Sequence, residues 1–149
     1  SASIRLNLTL LPGLNIQYWG QPFVASGKFS RYKLITDPGA ASFNRRYAVL
    51  SPSQLSYDPN DQVFLIDRNT DGSPEYSFGL PDFNVKQFRS NLVVKWEYIP
   101  GSYLYLVWSQ SRDRTDATGV FMPGENLADL FSKKPHNVWL VKLSYRFSL

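Results

Sequence analysis

Apolar and polar residues alternate in several stretches of this chain. In Asn91–Tyr98, Leu92, Val94, Trp96 and Tyr98 fall on one side, with Asn91, Lys95 and Glu97 on the other. A period of two belongs to a β-strand with one apolar and one polar face. This strand starts near Gln87. Ile99-Pro100-Gly101-Ser102 then predicts a tight turn, since proline presets φ and glycine accepts a positive φ. Tyr103–Ser111 returns as the second arm of a hairpin. Its facing stays open, because Tyr103, Tyr105 and Val107 are as apolar as Leu104, Leu106 and Trp108.

The same plan recurs towards both ends. Ser3–Leu11 sets Ile4, Leu6, Leu8 and Leu10 against Ser3, Arg5, Asn7 and Thr9, and Pro12-Gly13 turns the chain. Leu14–Val24 continues with Leu14, Ile16 and Tyr18 opposite Asn15, Gln17 and Gln21. Pro22 lacks a ladder donor, so the regular strand is expected to end near it. Asn137–Leu149 alternates throughout: Trp139, Val141, Leu143, Tyr145, Phe147 and Leu149 against Lys142, Ser144, Arg146 and Ser148. Two polar stretches separate these strands, 25–84 and 113–136. The first is too long for a structureless loop in a compact domain, and Tyr47–Leu50 and Val63–Ile66 predict short strands inside it. In the second, Glu125–Phe131 predicts a short helix.

Composition narrows the class. Nine Tyr, ten Phe and four Trp in 149 residues, with few helix-favouring blocks, point to an all-β fold. A 43% hydrophobic chain of this length is able to build a soluble core. No run of about 18 apolar residues predicts a transmembrane helix, but strands of about ten residues cross a bilayer when tilted. The absence of cysteine excludes a disulfide scaffold and a thiolate metal site. Ser1–Leu10 has no charged segment followed by an apolar one, so a leader is expected to be absent, removed or far upstream in a longer parent. The net charge of +4 is modest and describes a mildly basic, solvated surface.

Connection lengths then favour an antiparallel transmembrane β-barrel over a soluble sandwich. They alternate short, long, short, long, as periplasmic turns and external loops do. Phe88 and Trp96 are eight positions apart on one face, as are Trp139 and Phe147. Eight tilted residues climb roughly 20 Å, near the spacing of aromatic girdles. Phe88, Trp96, Tyr98, Trp139, Tyr145 and Phe147 are therefore expected to face lipid. About five strands are predicted to span, whereas single-chain bacterial barrels have an even number, eight or more. The whole chain, 1–149, thus reads as the C-terminal part of a larger barrel, with 25–84 and 113–136 as external loops. The missing strands are expected upstream in the same protein or in a partner chain.

Three segments carry a resemblance: Leu14–Lys33 (LNIQYWGQPFVASGKFSRYK), Pro81–Arg112 (PDFNVKQFRSNLVVKWEYIPGSYLYLVWSQSR) and Val138–Phe147 (VWLVKLSYRF). They resemble a bacterial family catalogued as domain of unknown function 5916, common in Bacteroidetes, and the likeness covers nearly all of the chain. The Trp-Glu-Tyr, Pro-Gly-Ser and Leu-Val-Trp hairpin is its most specific part. The resemblance implies the C-terminal end of an outer-membrane barrel. It also implies an upstream carbohydrate-binding module of the family 9 type, hence contact with surface glycans. It implies no catalytic residue.

Candidate chemistry is sparse. Asp67, Asn69, Asp71 and Gly72 open like an EF-hand-type calcium loop, with Glu75 at the ninth position but Phe78 at the twelfth, where glutamate belongs. An Asx-rich turn accounts for the same residues. His136, the only histidine, has Ser132 and Asp129 near it in sequence, but nothing there assembles a triad. Arg5, Arg89, Lys95, Lys142 and Arg146, against Glu97 alone, predict a basic wall on the inner face, which would attract anions unless missing strands supply acids. The doublets Arg45-Arg46 and Lys133-Lys134 are placed to meet lipopolysaccharide phosphates or simply to be solvated. Tyr47, Tyr57 and Tyr76 are placed to stack on sugars or to pack a loop. No nucleic-acid motif occurs.

The expectation is a non-enzymatic segment of a bacterial outer-membrane protein: anchor, channel or glycan-handling component, in contact with outer-membrane lipids. The alternatives are an outer-membrane enzyme with its catalytic residues upstream, and a soluble β-sandwich or barrel that binds an apolar ligand.

Overall fold

The computed structural model describes residues 2–147; Ser148 and Leu149, read above as the end of the last strand, lie outside the described residues. The strands are β1 (Ile4–Leu11), β2 (Leu14–Gly27), β3 (Lys33–Ile35), β4 (Tyr47–Val49), β5 (Leu55–Asp58), β6 (Val63–Ile66), β7 (Tyr76–Gly79), β8 (Phe83–Ile99), β9 (Ser102–Asp116) and β10 (His136–Ser144), with helix α1 (Pro123–Ser132) before the last. The class is all-β, mostly antiparallel sheet.

Two compact units form. Among the described residues one comprises 2–26, 84–116 and 120–147, the other Gly27–Phe83 with Ala117–Gly119. The second unit holds the β3–β4 hairpin and the three-stranded sheet β5-β6-β7. Its centre is aromatic: Phe64 stacks on Phe78 at 5.2 Å, and Tyr32 lies 5.0 Å from each. Tyr57 joins the cluster 5.0 Å from Phe64.

The first unit is one five-stranded sheet in the order β1-β2-β8-β9-β10. β1 and β2, β8 and β9, and β9 and β10 pair antiparallel. The Glu97 amide donates to the Gly13 carbonyl at 2.8 Å, which sets the end of β8 beside the start of β2 and makes that pair antiparallel too. Outer strands β1 and β10 therefore run in the same direction, and each has one neighbour.

Several boundaries differ from the sequence expectation. β2 runs through Pro22 to Gly27. β1 begins at Ile4, opposite Gly20, so past Gly20 the missing proline N–H faces no β1 partner. β8 begins at Phe83 and β9 reaches Asp116, which takes four residues from the second polar stretch. The closing strand stops at Ser144. Tyr145, Arg146 and Phe147 follow it rather than continue it.

The Gly101 turn explains that ending. Gly101 has φ +80, and a Cβ there would sit 2.5 Å from Cδ of Arg146, whose side chain folds over the turn. The Arg146 amide donates to Ser102 Oγ at 3.0 Å instead of to a ladder carbonyl.

Among the described residues only Ala40, Ile66 and Leu130 are buried hydrophobics. Helix α1 packs on the sheet, with Leu130 fully buried and the Phe131 ring 5.0 Å from Phe88.

Candidate functional site

Directly opposed residues of neighbouring strands share a face, so the register sorts the sheet. Leu92, Trp108 and Trp139 form one row; Val94, Leu106 and Val141 the next; Trp96, Leu104 and Leu143 the third. The open facing of β9 is thereby resolved: Leu104, Leu106 and Trp108 lie with Trp96, whereas Tyr103, Tyr105 and Val107 lie with Lys95. One hollow brings Asn91 together with the opposed pairs Arg5–Trp19 and Asn7–Gln17, which puts those residues on the opposite face; Tyr18, also at its rim, has the other parity. Leu6, Leu8, Ile16 and Tyr18 accordingly join the apolar side. The Tyr18 ring folds over Gly20, where a Cβ would meet its hydroxyl at 2.8 Å.

This apolar band is uncovered. Trp96 is 47% exposed, Trp139 60% and Leu143 68%. At one margin Trp108 and Trp139 stack, and Trp108 Nε1 donates to Asn137 Oδ1 at 3.0 Å. Ser90, Gln110 and Asn137 form the polar row beyond them. At the other margin the Trp96 and Tyr98 rings meet edge-on, the Tyr98 hydroxyl reaches the Ser144 carbonyl, and Tyr145 contacts Phe147 at 4.8 Å. Both tight turns lie at this end.

Phe88 departs from the expected girdle. It shares the face with Trp96 but sits opposite Arg112, under α1 and against Phe131. Trp139 is level with Leu92, four residues further along β8, so the two eight-residue spacings do not mark the same pair of levels.

Beyond the polar row, outside the band, sits an ion-pair network that sequence reasoning missed. Lys86, buried, donates to Asp116 Oδ2 at 2.7 Å and Asp129 Oδ2 at 2.8 Å, and Arg114 contacts Asp129 Oδ1 at 2.6 Å. Hydrogen bonds to Asp116 and Asp129 raise the Lys86 pKa above its ordinary value, outweighing burial. The Arg112 Nη1 donates to the carbonyls of Phe131 and Lys133, tying down the end of α1. Lys86 has the parity of Phe88 and Leu92, and that was the only available signal.

On the opposite face the predicted basic wall is broken up. Arg89 forms a two-pronged pair with Asp113, 2.7 and 2.8 Å, an acid the tally of this face had left out. Those hydrogen bonds hold the Asp113 carboxyl below, and the Arg89 guanidinium above, their ordinary ranges. Arg146 lies at the Gly101 turn, not on the wall. Lys95 and Lys142 flank the Tyr105 ring, 6.0 and 5.9 Å from its centroid, and Lys95 is 4.6 Å from Tyr103. Glu97 Oε1 accepts the Gly101 amide at 2.8 Å. Arg5 lies directly across from Trp19.

The remaining candidates are also placed. Asp67 accepts the amides of Asp71 and Gly72, Asn69 Oδ1 accepts that of Asp71, Asp71 Oδ1 that of Ser73, and Glu75 Oε2 that of Arg68. These oxygens cap an Asx turn, and no cluster of three or more His, Asp or Glu suited to a metal occurs among the described residues. His136 opens β10 opposite Ser111; Asp129 is held by Lys86 and Arg114, and Ser132 Oγ donates to the Asp129 carbonyl. The three are not assembled as a triad. Tyr47 packs against Phe43 and under Lys33 Nζ.

Comparison with protein-family models, with curated proteins and with solved structures found no match to this chain in any of the three.

Proposed function

We propose that this chain is the C-terminal part of a transmembrane β-barrel in a bacterial outer membrane, acting as wall and anchor rather than as an enzyme. The observation that carries the reading is the apolar band, continuous over β1, β2, β8, β9 and β10 and exposed to an extent unusual for residues such as Trp139, Val141 and Leu143. An uncovered apolar face of this size needs either lipid or another protein layer. Aromatic residues at both margins, with an indole N–H bonded at the polar row, suit the boundary between hydrocarbon and water.

The edges add a rule about partners. β1 and β10 run the same way, so closing the sheet with antiparallel pairs requires an odd number of further strands, at least three if the barrel has eight or more. Those strands come from the same protein or a partner chain. Without them two ladders of unpaired backbone groups would face lipid, which has nothing to satisfy them.

A second reading has its own observation. α1 packs on the same face as the band, as a covering layer does in a soluble domain. The band, from the Trp108 level to Tyr98, is also only roughly 20 Å long along the strand before tilt, short against a hydrocarbon belt of about 25 Å. Extraction of the full-length protein from its native membranes separates the two. Retention through carbonate, with release by detergent, is expected; release by carbonate alone favours the soluble domain.

A further inference from the structure

The face opposite the band holds a feature that the membrane reading does not use. Two hollows, of about 310 and 350 Å³, share Trp19 and Asn91, and a third of about 180 Å³ shares Arg89 with the second. Together they form one trough crossing the sheet from β1 to β10, about 19 Å for four strand spacings. Its walls mix uncharged hydrogen-bonding groups (Asn7, Gln17, Asn91, Ser109 and Ser111) with apolar Val93 and Val138, and Arg5, Arg89 and His136 also line it. Trp19 is the large aromatic ring in the middle of them.

We propose that this trough binds a neutral oligosaccharide, with Trp19 as its stacking platform. A pyranose ring has an apolar face of C–H groups and a rim of hydroxyls, and it needs both an aromatic surface and planar amides or hydroxyls around it. An apolar ligand would strand the amides without partners, at about 1–3 kcal/mol for each one buried. A polyanionic ligand needs several uncompensated cations, whereas Arg89 is paired with Asp113 at 2.7 Å, which leaves Arg5 as the one arginine of the lining without a carboxylate partner among the described residues. Arg5, at the β1 end, is then available for a ligand hydroxyl. The Ser109 Oγ bond to Asn91 Oδ1, 3.1 Å, orients that amide so that its N–H groups are the ones presented. The proposal holds whatever covers the other face, and in a closed barrel the trough lines the lumen.

The test is calorimetric titration of the full-length, detergent-extracted protein with maltohexaose, cellohexaose, xylohexaose, mannohexaose and laminarihexaose. Binding of at least one is expected, weakened about tenfold or more by Trp19→Ala and less by Trp19→Phe. Gln17→Ala, which leaves the ring in place, is expected to weaken the same ligand. Trp139→Phe, on the opposite face, is expected to leave it unchanged. No heat with any of the five overturns the proposal. So does undiminished binding by Trp19→Ala and Gln17→Ala, or binding of heparin in place of the neutral sugars.

Discussion

Trp108 and Trp139 lie face to face across the β9–β10 pair, their centroids 5.3 Å apart and their planes within 9°. β10 is an edge strand, and this stack ties it to β9. Trp139→Ala removes it. The loss is about 1 kcal/mol beyond the buried area, and Trp139→Phe keeps most of it. Urea unfolding of the detergent-solubilised protein, followed by far-UV circular dichroism, reads the difference. Equal midpoints for the two variants would show that the stack contributes nothing.

Lys86 is buried between two carboxylates. Lys86→Met removes its charge but leaves Asp116 and Asp129, about 30% exposed, facing each other without it. Because water still reaches both acids, the cost is moderate, about 2 kcal/mol, rather than that of a sealed charge. The pH dependence has a definite sign. Lys86 has its pKa raised above 10.5, so its contribution is complete below pH 10.5 and fades as pH climbs through the raised value. Melting curves above and below that pH are expected to converge for wild type and Lys86→Met on the alkaline side. A constant gap would contradict the assignment.

Gly101 is required by both its backbone and its neighbour. Gly101→Ala places a Cβ at φ +80 and 2.5 Å from Arg146 Cδ. The backbone part costs about 1–2 kcal/mol and remains whatever the arginine does. Adding Arg146→Ala is therefore expected to restore stability only in part. Complete rescue in the double variant would assign the whole cost to the side-chain clash.

Alternation at Leu92–Tyr98 made the hairpin and its faces legible, because a half-buried strand and its sequence share one period. The turns at Pro12-Gly13 and Pro100-Gly101 were legible for the same local reason. β9 was not, since Tyr103–Trp108 is apolar at every position and only its pairing with β8 decides the facing. Pro22 misled because whether a missing N–H matters depends on where the neighbouring strand ends. Arg89 and Asp113 lie 24 residues apart, and Lys86 and Asp129 lie 43 apart, so no local pattern could match them. Trp19 had the parity of Gln17 and Gln21, a signal present in the sequence but masked by the apolar residues beside it.

Asp67 accepts two backbone amides, from Asp71 at 3.2 Å and Gly72 at 2.7 Å. Asp67→Ala leaves both without that acceptor, at about 1 kcal/mol for an exposed turn. Hydrogen exchange at those two amides is expected to accelerate severalfold while the β5-β6-β7 amides stay protected. If millimolar calcium slowed exchange at the same amides in the native protein, the loop would be a cation site and not only a turn.

Leu140 and Val141 are neighbours on β10, similarly exposed at 54% and 65%, yet they point to opposite faces. Val141 stands in the row of Val94 and Leu106; Leu140 pairs with Val107 on the face of the polar trough. In water alone, arginine at either position would be tolerated, since both side chains have room and solvent. In a bilayer the two diverge. Val141→Arg would carry a cation into hydrocarbon, at about 2–4 kcal/mol near the midplane, whereas Leu140→Arg would point it inward. Expression of both variants in the full-length protein, scored by the carbonate-resistant membrane fraction, is expected to show loss for Val141→Arg and near-normal recovery for Leu140→Arg. Equal behaviour of the pair would remove lipid from the apolar face and return the sheet to a soluble domain with a missing layer.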